Sequence, residues 1–263
     1  MKDRETGPEG EAQQTIASRR KTKRKQVTGS ERRAAWCGLL AGLLMIIGGI
    51  TGIIWGMAGD GELLAAEMLR NAPSEKTGLP ETEYSGVGRM IAGFLTGREA
   101  VFQYVWTDQS GEARPAFHAR EAAHMEDCRK LIALDRTVCL AALGAAILLT
   151  AIGLAGGNPG PKRCAFGRGM LRSLRILGVL ALLIGGWALA DFDGFFRMFH
   201  RIAFTNDLWL MNPRTDLLIR LMPLSFFTGL GLRGVGLFVP IVLMTEIAAR
   251  LLCRAGRAGA QPD

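Results

Sequence analysis

The chain has only three histidines in 263 residues, few enough to weigh one by one. His124 lies in "REAAHMEDCRKL", with Glu121 three residues before it and Asp127 three after. On a helix that spacing sets a carboxylate one turn to either side of the imidazole. A carboxylate beside an imidazole raises its basicity and selects its tautomer. Such a group suits general acid–base chemistry; the plainer alternative is a solvated helix face with ordinary charge pairs. Cys128, four residues on, adds two readings. With His124 it is half of a metal site whose other ligands are hard to find among so few histidines. With His124 as base it is a thiol nucleophile. His200 lies in "FFRMFHRIAF", among Phe195, Phe196, Phe199 and Phe204. An imidazole in that half-dry setting has a perturbed proton affinity. The competing reading is an interfacial aromatic belt with no chemistry, to which Trp209 also belongs.

The elements that must position these residues are set by where the apolar residues fall. Four blocks stand out: 36–57, 138–157, about 176–190 and about 226–247. A helix needs about 20 mainly apolar residues to cross a hydrocarbon core. The first two blocks meet that length. The third reaches it if Leu171, Leu174 and Phe192 extend it while Arg172 and Arg175 snorkel. The fourth is interrupted by Arg233, Pro240 and Glu246, so both charges are expected near its ends. The first block is too long for a signal peptide and lacks a clear small-residue cleavage site, so it reads as a retained helix. The fold class expected is an all-α-dominated integral membrane protein with four transmembrane helices and an extracellular cap.

Lysine and arginine in the flanks orient the spans. The arm at 1–33 carries "SRRKTKRK", the connection between blocks two and three carries Lys162, Arg163, Arg168 and Arg172, and the C-terminal end carries Arg250, Arg254 and Arg257. All three are expected in the cytoplasm, with 254–263 as a tail. Segments 58–137 and 191–231 then lie outside and form the cap on the membrane domain of residues 34–253. The basic arm beside a membrane helix suits anionic lipid head groups and topology rather than nucleic acid. Cys128 is the sole cysteine of the two outer segments, so they have no internal disulfide partner. No P-loop, GxGxxG, GxSxG, HExxH or CxxC motif occurs, and no cofactor or metal is expected.

The first outer segment is too long for a bare connector and needs structure of its own. "GELLAAEMLR" and "VGRMIAGFLTG" have helical spacing, and a glycine is placed to end the second. "EAVFQYVWTDQSGEARPAF" suits a short hairpin turning at "DQSGEARP". "REAAHMEDCRKLIALDR" is helical and runs straight into the second membrane block. In the second segment "FFRMFHRIAF" is an amphipathic helix suited to the membrane interface. Asn212-Pro213 reads as a turn, with Thr215 or Asp216 capping a short helix after it.

Together, "REAAHMEDCRKL" beside a membrane helix and the later "FHRIAFTNDLWLMNPRTDLLIRLMPLSFF" resemble the lipoprotein intramolecular transacylases of Gram-positive bacteria. The resemblance spans roughly residues 34–253 and leaves out the basic arm. It implies four membrane helices with an extracellular cap, at the cell membrane with both chain ends cytoplasmic. It also implies an enzyme that moves the sn-2 acyl chain of an S-diacylglyceryl-cysteine lipoprotein to that cysteine's own α-amino group. Its partners would be diacylglyceryl-modified lipoproteins and membrane lipids, at an active site by the outer leaflet. The family's two implicated histidines match His124 and His200; His118 falls off the motif. Glu121, Asp127, Phe199, Arg201, Asn206, Trp209, Asn212 and Asp216 are the supporting or substrate-binding candidates, and the oxyanion donor is open among a protonated imidazole, Asn206, Asn212 and Arg201. The chain departs from the family where Cys128 replaces a valine-like residue and where "LS" follows Pro223 in place of an acid. The rival classes are a membrane ester hydrolase, a cysteine-dependent acyltransferase and a non-catalytic scaffold.

Overall fold

The computed structural model describes residues 27–107, 110–156 and 158–258. The polybasic run of the N-terminal arm, Asp108 of the expected turn and the end of the C-terminal tail lie outside them. In chain order the elements are α1 (Gly29–Ala58), α2 (Gly61–Asn71), α3 (Ser74–Thr77), a 3-10 turn (Glu81–Glu83), α4 (Tyr84–Leu95), β1 (Val105–Thr107) and β2 (Ala113–Pro115). They continue with α5 (Ala119–Leu154), α6 (Pro159–Ala190), α7 (Phe192–Ala203), α8 (Leu217–Leu221) and α9 (Leu224–Ala258). Helices α1, α5, α6 and α9 are long and apolar enough to cross a membrane. They contain the first, third and fourth blocks read from the sequence, and the second as far as Leu154.

The bundle is held at one end by close helix contacts. Gly38 and Gly42, four apart on α1, meet Phe166, Gly169 and Ser173 of α6. A Cβ at Gly38 would lie 2.1 Å from the Phe166 carbonyl oxygen, so only glycine lets the two backbones come so near. Ala34, Ala41, Phe166, Met170 and Ala249 fill the core beside this crossing. The other half of α6 is different: only 6% of its most apolar stretch is buried, against 33% for α1. Gly178, Gly185 and Gly186 face open space there. That half of the helix presents Val179, Leu182 and Leu189 outward, as a lipid-facing surface does.

Lys162, Arg163, Arg168 and Arg172 lie on α6 itself, not in a connecting loop. The connection shrinks to residues 155–158 because Asn158 caps the helix, its Oδ1 accepting from the Gly160 amide at 3.2 Å, and Pro159 suits the first helical position. Lys162 is buried and its Nζ donates to the carbonyls of Ala155 and Gly156, closing the end of α5.

At the opposite end, the segments between α1 and α5 and between α6 and α9 fold into one head. Its core joins Met68, Val87 and Ile91 with Met125 of α5, Leu221 of α8 and Phe226 of α9. Helix α4 stops where Gly97 takes φ +79°, as its glycine suggested. The expected hairpin is present, with Val105 opposite Pro115 and Thr107 opposite Ala113. Arg233 of α9 is not a free charge at a helix end. Its Nε donates at 2.9 Å to Oε2 of Glu67 on α2, a carboxylate that is 1% exposed. Gly229 leaves the slot: a Cβ there would lie 2.0 Å from Glu67 Oε1.

Candidate active site

Helix α5 continues well past its membrane block. The apolar block starts at Val138, and His124 stands fourteen residues before it, about 21 Å along the axis. His124, Asp127 and Cys128 therefore lie on a charged stretch of α5 that precedes the apolar block. That stretch starts at His118, an exposed N-cap residue. Glu121 does not sit beside the His124 ring as its spacing suggested. Its side chain is fully buried, and its two oxygens accept from the backbone amides of His118 and Leu218, each at 2.7 Å. A buried carboxylate must find donors, and the first turns of α5 and α8 offer unpaired amides. Glu121 thereby ties the His124 helix to α8.

Helix α7 is capped by Asp191, whose Oδ1 accepts from the Gly194 amide at 2.9 Å. Its inner face carries Phe196 and His200. His200 is 7% exposed, and its Nδ1 lies 2.8 Å from the Phe196 carbonyl oxygen one turn back. A carbonyl only accepts, so Nδ1 carries the proton and Nε2 keeps its lone pair. The His124 and His200 rings stack with centroids 6.2 Å apart and planes 28° from parallel. Around them lie Phe204, at 5.1 Å from His124 and 5.5 Å from His200, Phe196 at 4.1 Å, Trp209 at 5.0 Å and Phe199 at 5.3 Å from His200.

The loop after α7 closes over this pair. Asn206 Nδ2 donates to Asp127 Oδ2 at 2.9 Å. Arg120, one turn before His124, donates through Nη2 to the carbonyls of Asp207 and Leu210. Asn212 and Asp216 serve the loop itself: Asp216 Oδ2 accepts from the Asn212 amide at 2.8 Å, and Asn212 Oδ1 accepts from the Arg214 amide at 3.0 Å. Asp216 is the N-cap of α8, as the sequence suggested, yet its carboxylate faces back into the turn. Arg201 is exposed and lines a cavity of about 400 Å³ together with Phe204, Asn206 and Trp209.

Electrostatics separate the groups. Burial pushes the His124 proton affinity down to a pKa of about 4, helped by the positive charge His200 can carry and opposed by Asp127. His200 is also lowered by burial, against which the Phe196 carbonyl acts. Asp127 is held below the usual carboxylate range by hydrogen bonds from Asn206 and Lys130. Cys128 Sγ lies 3.5 Å from His124 Nε2, and burial, with Asp127 adding to it, pushes its thiol up to about 12. Among the described residues no three His, Cys, Asp or Glu side chains converge as a metal set. The roles of Phe204 and Arg120 were not legible. Phe204 showed only as an apolar residue, and Arg120 acts on carbonyls 87 and 90 residues away. The Phe196 contact had a signal in its i, i+4 spacing from His200.

A family model described as lipoprotein intramolecular transacylase Lit matches residues 39–227, well over half of the chain. The chain belongs to this family. Both His124 and His200 fall inside the matched range. Among solved structures, the transacylase resembles the in meso structure of the membrane integral lipoprotein intramolecular transacylase Lit from Bacillus cereus. The TM-score is 0.65 at 15% identity, covering 84% of this chain and 96% of that one. A likeness at that identity speaks for the fold, which is that of a multi-pass, all-α integral membrane protein with four candidate spans. Comparison with curated proteins gave no match.

Proposed function

We propose that the His124–His200 pair catalyses movement of the sn-2 acyl chain of an S-diacylglyceryl-cysteine lipoprotein to the α-amine of the same cysteine. The observation that carries this is the meeting of two buried imidazoles, from helices far apart in sequence, within 6.2 Å. Family membership supplies the reaction class. The amine nitrogen attacks the ester carbonyl carbon, a proton passes from nitrogen to His200 Nε2, the carbon–oxygen bond breaks, and the glycerol oxygen takes a proton. The product is an isomer of the substrate, so no co-reactant is consumed.

His200 suits the base role because the Phe196 carbonyl fixes its proton on Nδ1 and leaves Nε2 free. His124 is held neutral near pH 7 and suits an N–H donor to the tetrahedral oxyanion or the leaving oxygen. Donor ester and acceptor amine share one molecule, so orientation alone supplies roughly 7–11 kcal/mol of the barrier. The aromatic surround limits water and so disfavours simple ester hydrolysis. A Cys128 nucleophile fits poorly. Its thiol is pushed up to about 12 while the adjacent imidazole falls to about 4, so the imidazole cannot ionise it.

In this reading the head faces outside as an extracellular cap, both chain ends face the cytoplasm, and hydrocarbon flanks the exposed half of α6 that leads into the His200 helix. The test is conversion of a synthetic diacyl lipopeptide to its lyso form by purified protein in vesicles, followed by mass spectrometry. His124→Ala and His200→Ala should each lower the rate at least about 10²-fold, non-additively in the double variant. His118→Ala should stay near wild type. Release of free fatty acid in place of N-acylation would reassign the protein as a hydrolase.

A further inference from the structure

The substrate's lipid and its amine account for the imidazole pair, but a lipoprotein continues as a peptide after its modified cysteine. The cavity of about 400 Å³ beside the pair has the chemistry to receive that peptide. Phe204 and Trp209 are shared walls, since both also touch the imidazoles. Its other walls are largely polar, with two arginines against one carboxylate: Arg197 and Arg201, one turn apart on α7, line it with Thr205, Asn206 and Asp207. Arg197 pairs with Asp193 at 2.9 Å, a pair exposed on both sides. Arg201 forms no ion pair among the described residues. The loop wall is fixed in place, because Arg120 holds the Asp207 and Leu210 carbonyls and Asp127 holds Asn206.

The geometry points to this cavity as a specificity pocket for the residues after the lipidated cysteine, with Arg201 selecting peptides that carry an acidic side chain there. The inference rests on the transacylase reading of the adjoining pair. A phospholipid head group offers the same anionic chemistry, and the position of the loop favours the peptide. Arg120, which anchors the pocket's loop wall, stands eighteen residues before the apolar block that starts at Val138, about 27 Å along α5. The head-group layer is only about 5–8 Å deep. The pocket therefore opens toward water, where a mature lipoprotein chain leaves the membrane.

The experiment is competition between diacyl lipopeptides that differ at one position, Glu, Gln or Lys, second or third after the cysteine. The readout is the ratio of kcat/KM values in vesicles of neutral lipid and of lipid with an anionic fraction. Wild-type protein should favour the Glu peptide over the Lys peptide about 10-fold, the scale of exchanging a partly exposed attraction for a repulsion. Arg201→Gln should bring the ratio near unity, Arg201→Lys should restore it, and Arg201→Glu should invert it. Equal use of Glu and Lys peptides by wild type, or an unmoved ratio in Arg201→Glu, overturns the inference alone. A dependence on the anionic lipid fraction that ignores peptide charge gives the arginines to head groups and also overturns it. Conversion of no peptide at all refutes the transacylase reading and the pocket with it.

Discussion

Replacing His200 with glutamine removes the neighbour whose charge most directly opposes a proton on His124. Two unit charges 6.2 Å apart repel by about 2.7 kcal/mol at an effective dielectric near 20, and by roughly 0.7 kcal/mol in bulk water. At 1.36 kcal/mol for each pKa step, the range is about 0.5 to 2 steps. The structure narrows it. His124 falls from 6.5 to about 4, and burial is the largest cause, so His200 accounts for the smaller share. The expected effect of His200→Gln is therefore a rise of about one step in the His124 pKa. Asp127→Asn should act the other way, because Asp127 favours the imidazolium. Histidine-selective labelling and an NMR titration of the purified protein in micelles reads both, and exposed His118 is the second signal in the His200 variant. A His124 pKa that stays fixed or falls in His200→Gln would refute the coupling, and with it the pairing of the rings in solution.

The same shift predicts how stability follows pH. His124 has a folded pKa of about 4, below its ordinary 6.5, so between those values the unfolded chain binds more protons and stability falls as pH falls. The loss is at most about 3 kcal/mol; it should appear as a lower Tm at pH 4.5 than at pH 7.5, with a smaller drop in His124→Gln. The depressed carboxylates of Asp127 and Asp216 lose their contribution only below that window. Glu121→Gln replaces an acceptor with an amide facing two backbone donors and should cost about 2–3 kcal/mol of stability, read as a Tm shift. Trp209→Ala should lower turnover about 10-fold or more by loosening the ring packed on His200, with membrane insertion unchanged; a wild-type rate would return Trp209 to an interfacial belt.

The four spans were legible because apolar runs of their length have few other uses. The head helices and the hairpin followed from periodicity and turn residues. What stayed hidden depended on partners distant in sequence. Glu121 read as a neighbour of His124, but its burial made two backbone amides better partners. Arg233 read as a charge confined to a helix end, while Glu67 lies across from it on another helix. The basic residues at the start of α6 read as a loop by their charge, although Asn158-Pro159 marks a helix start just before them. The meeting of His124 with His200 could not come from spacing at all. It came from family resemblance, and the fold then supplied the distance.

Two of the buried carboxylates of the head, Glu67 and Glu121, show how the helices around the imidazole pair are held. Glu67 joins α2 to α9 through Arg233, and Glu121 joins α5 to α8, the short helix that precedes α9. Pairs and networks of this kind are weak sources of net stability, since desolvation offsets the attraction. Each carboxylate here is nevertheless met by several donors: Arg233, Arg70 and Asn71 at Glu67, and two backbone amides at Glu121. A carboxylate with that many directional bonds admits one docking of its helices, where an apolar contact admits several. His124 stands one turn from Glu121, and His200 reaches α9 through the Phe196–Phe227 ring contact, centroids 4.9 Å apart. Glu121, which sequence spacing set beside the His124 imidazole, thus bears on the pair through geometry, by fixing the helix that carries one of the two rings.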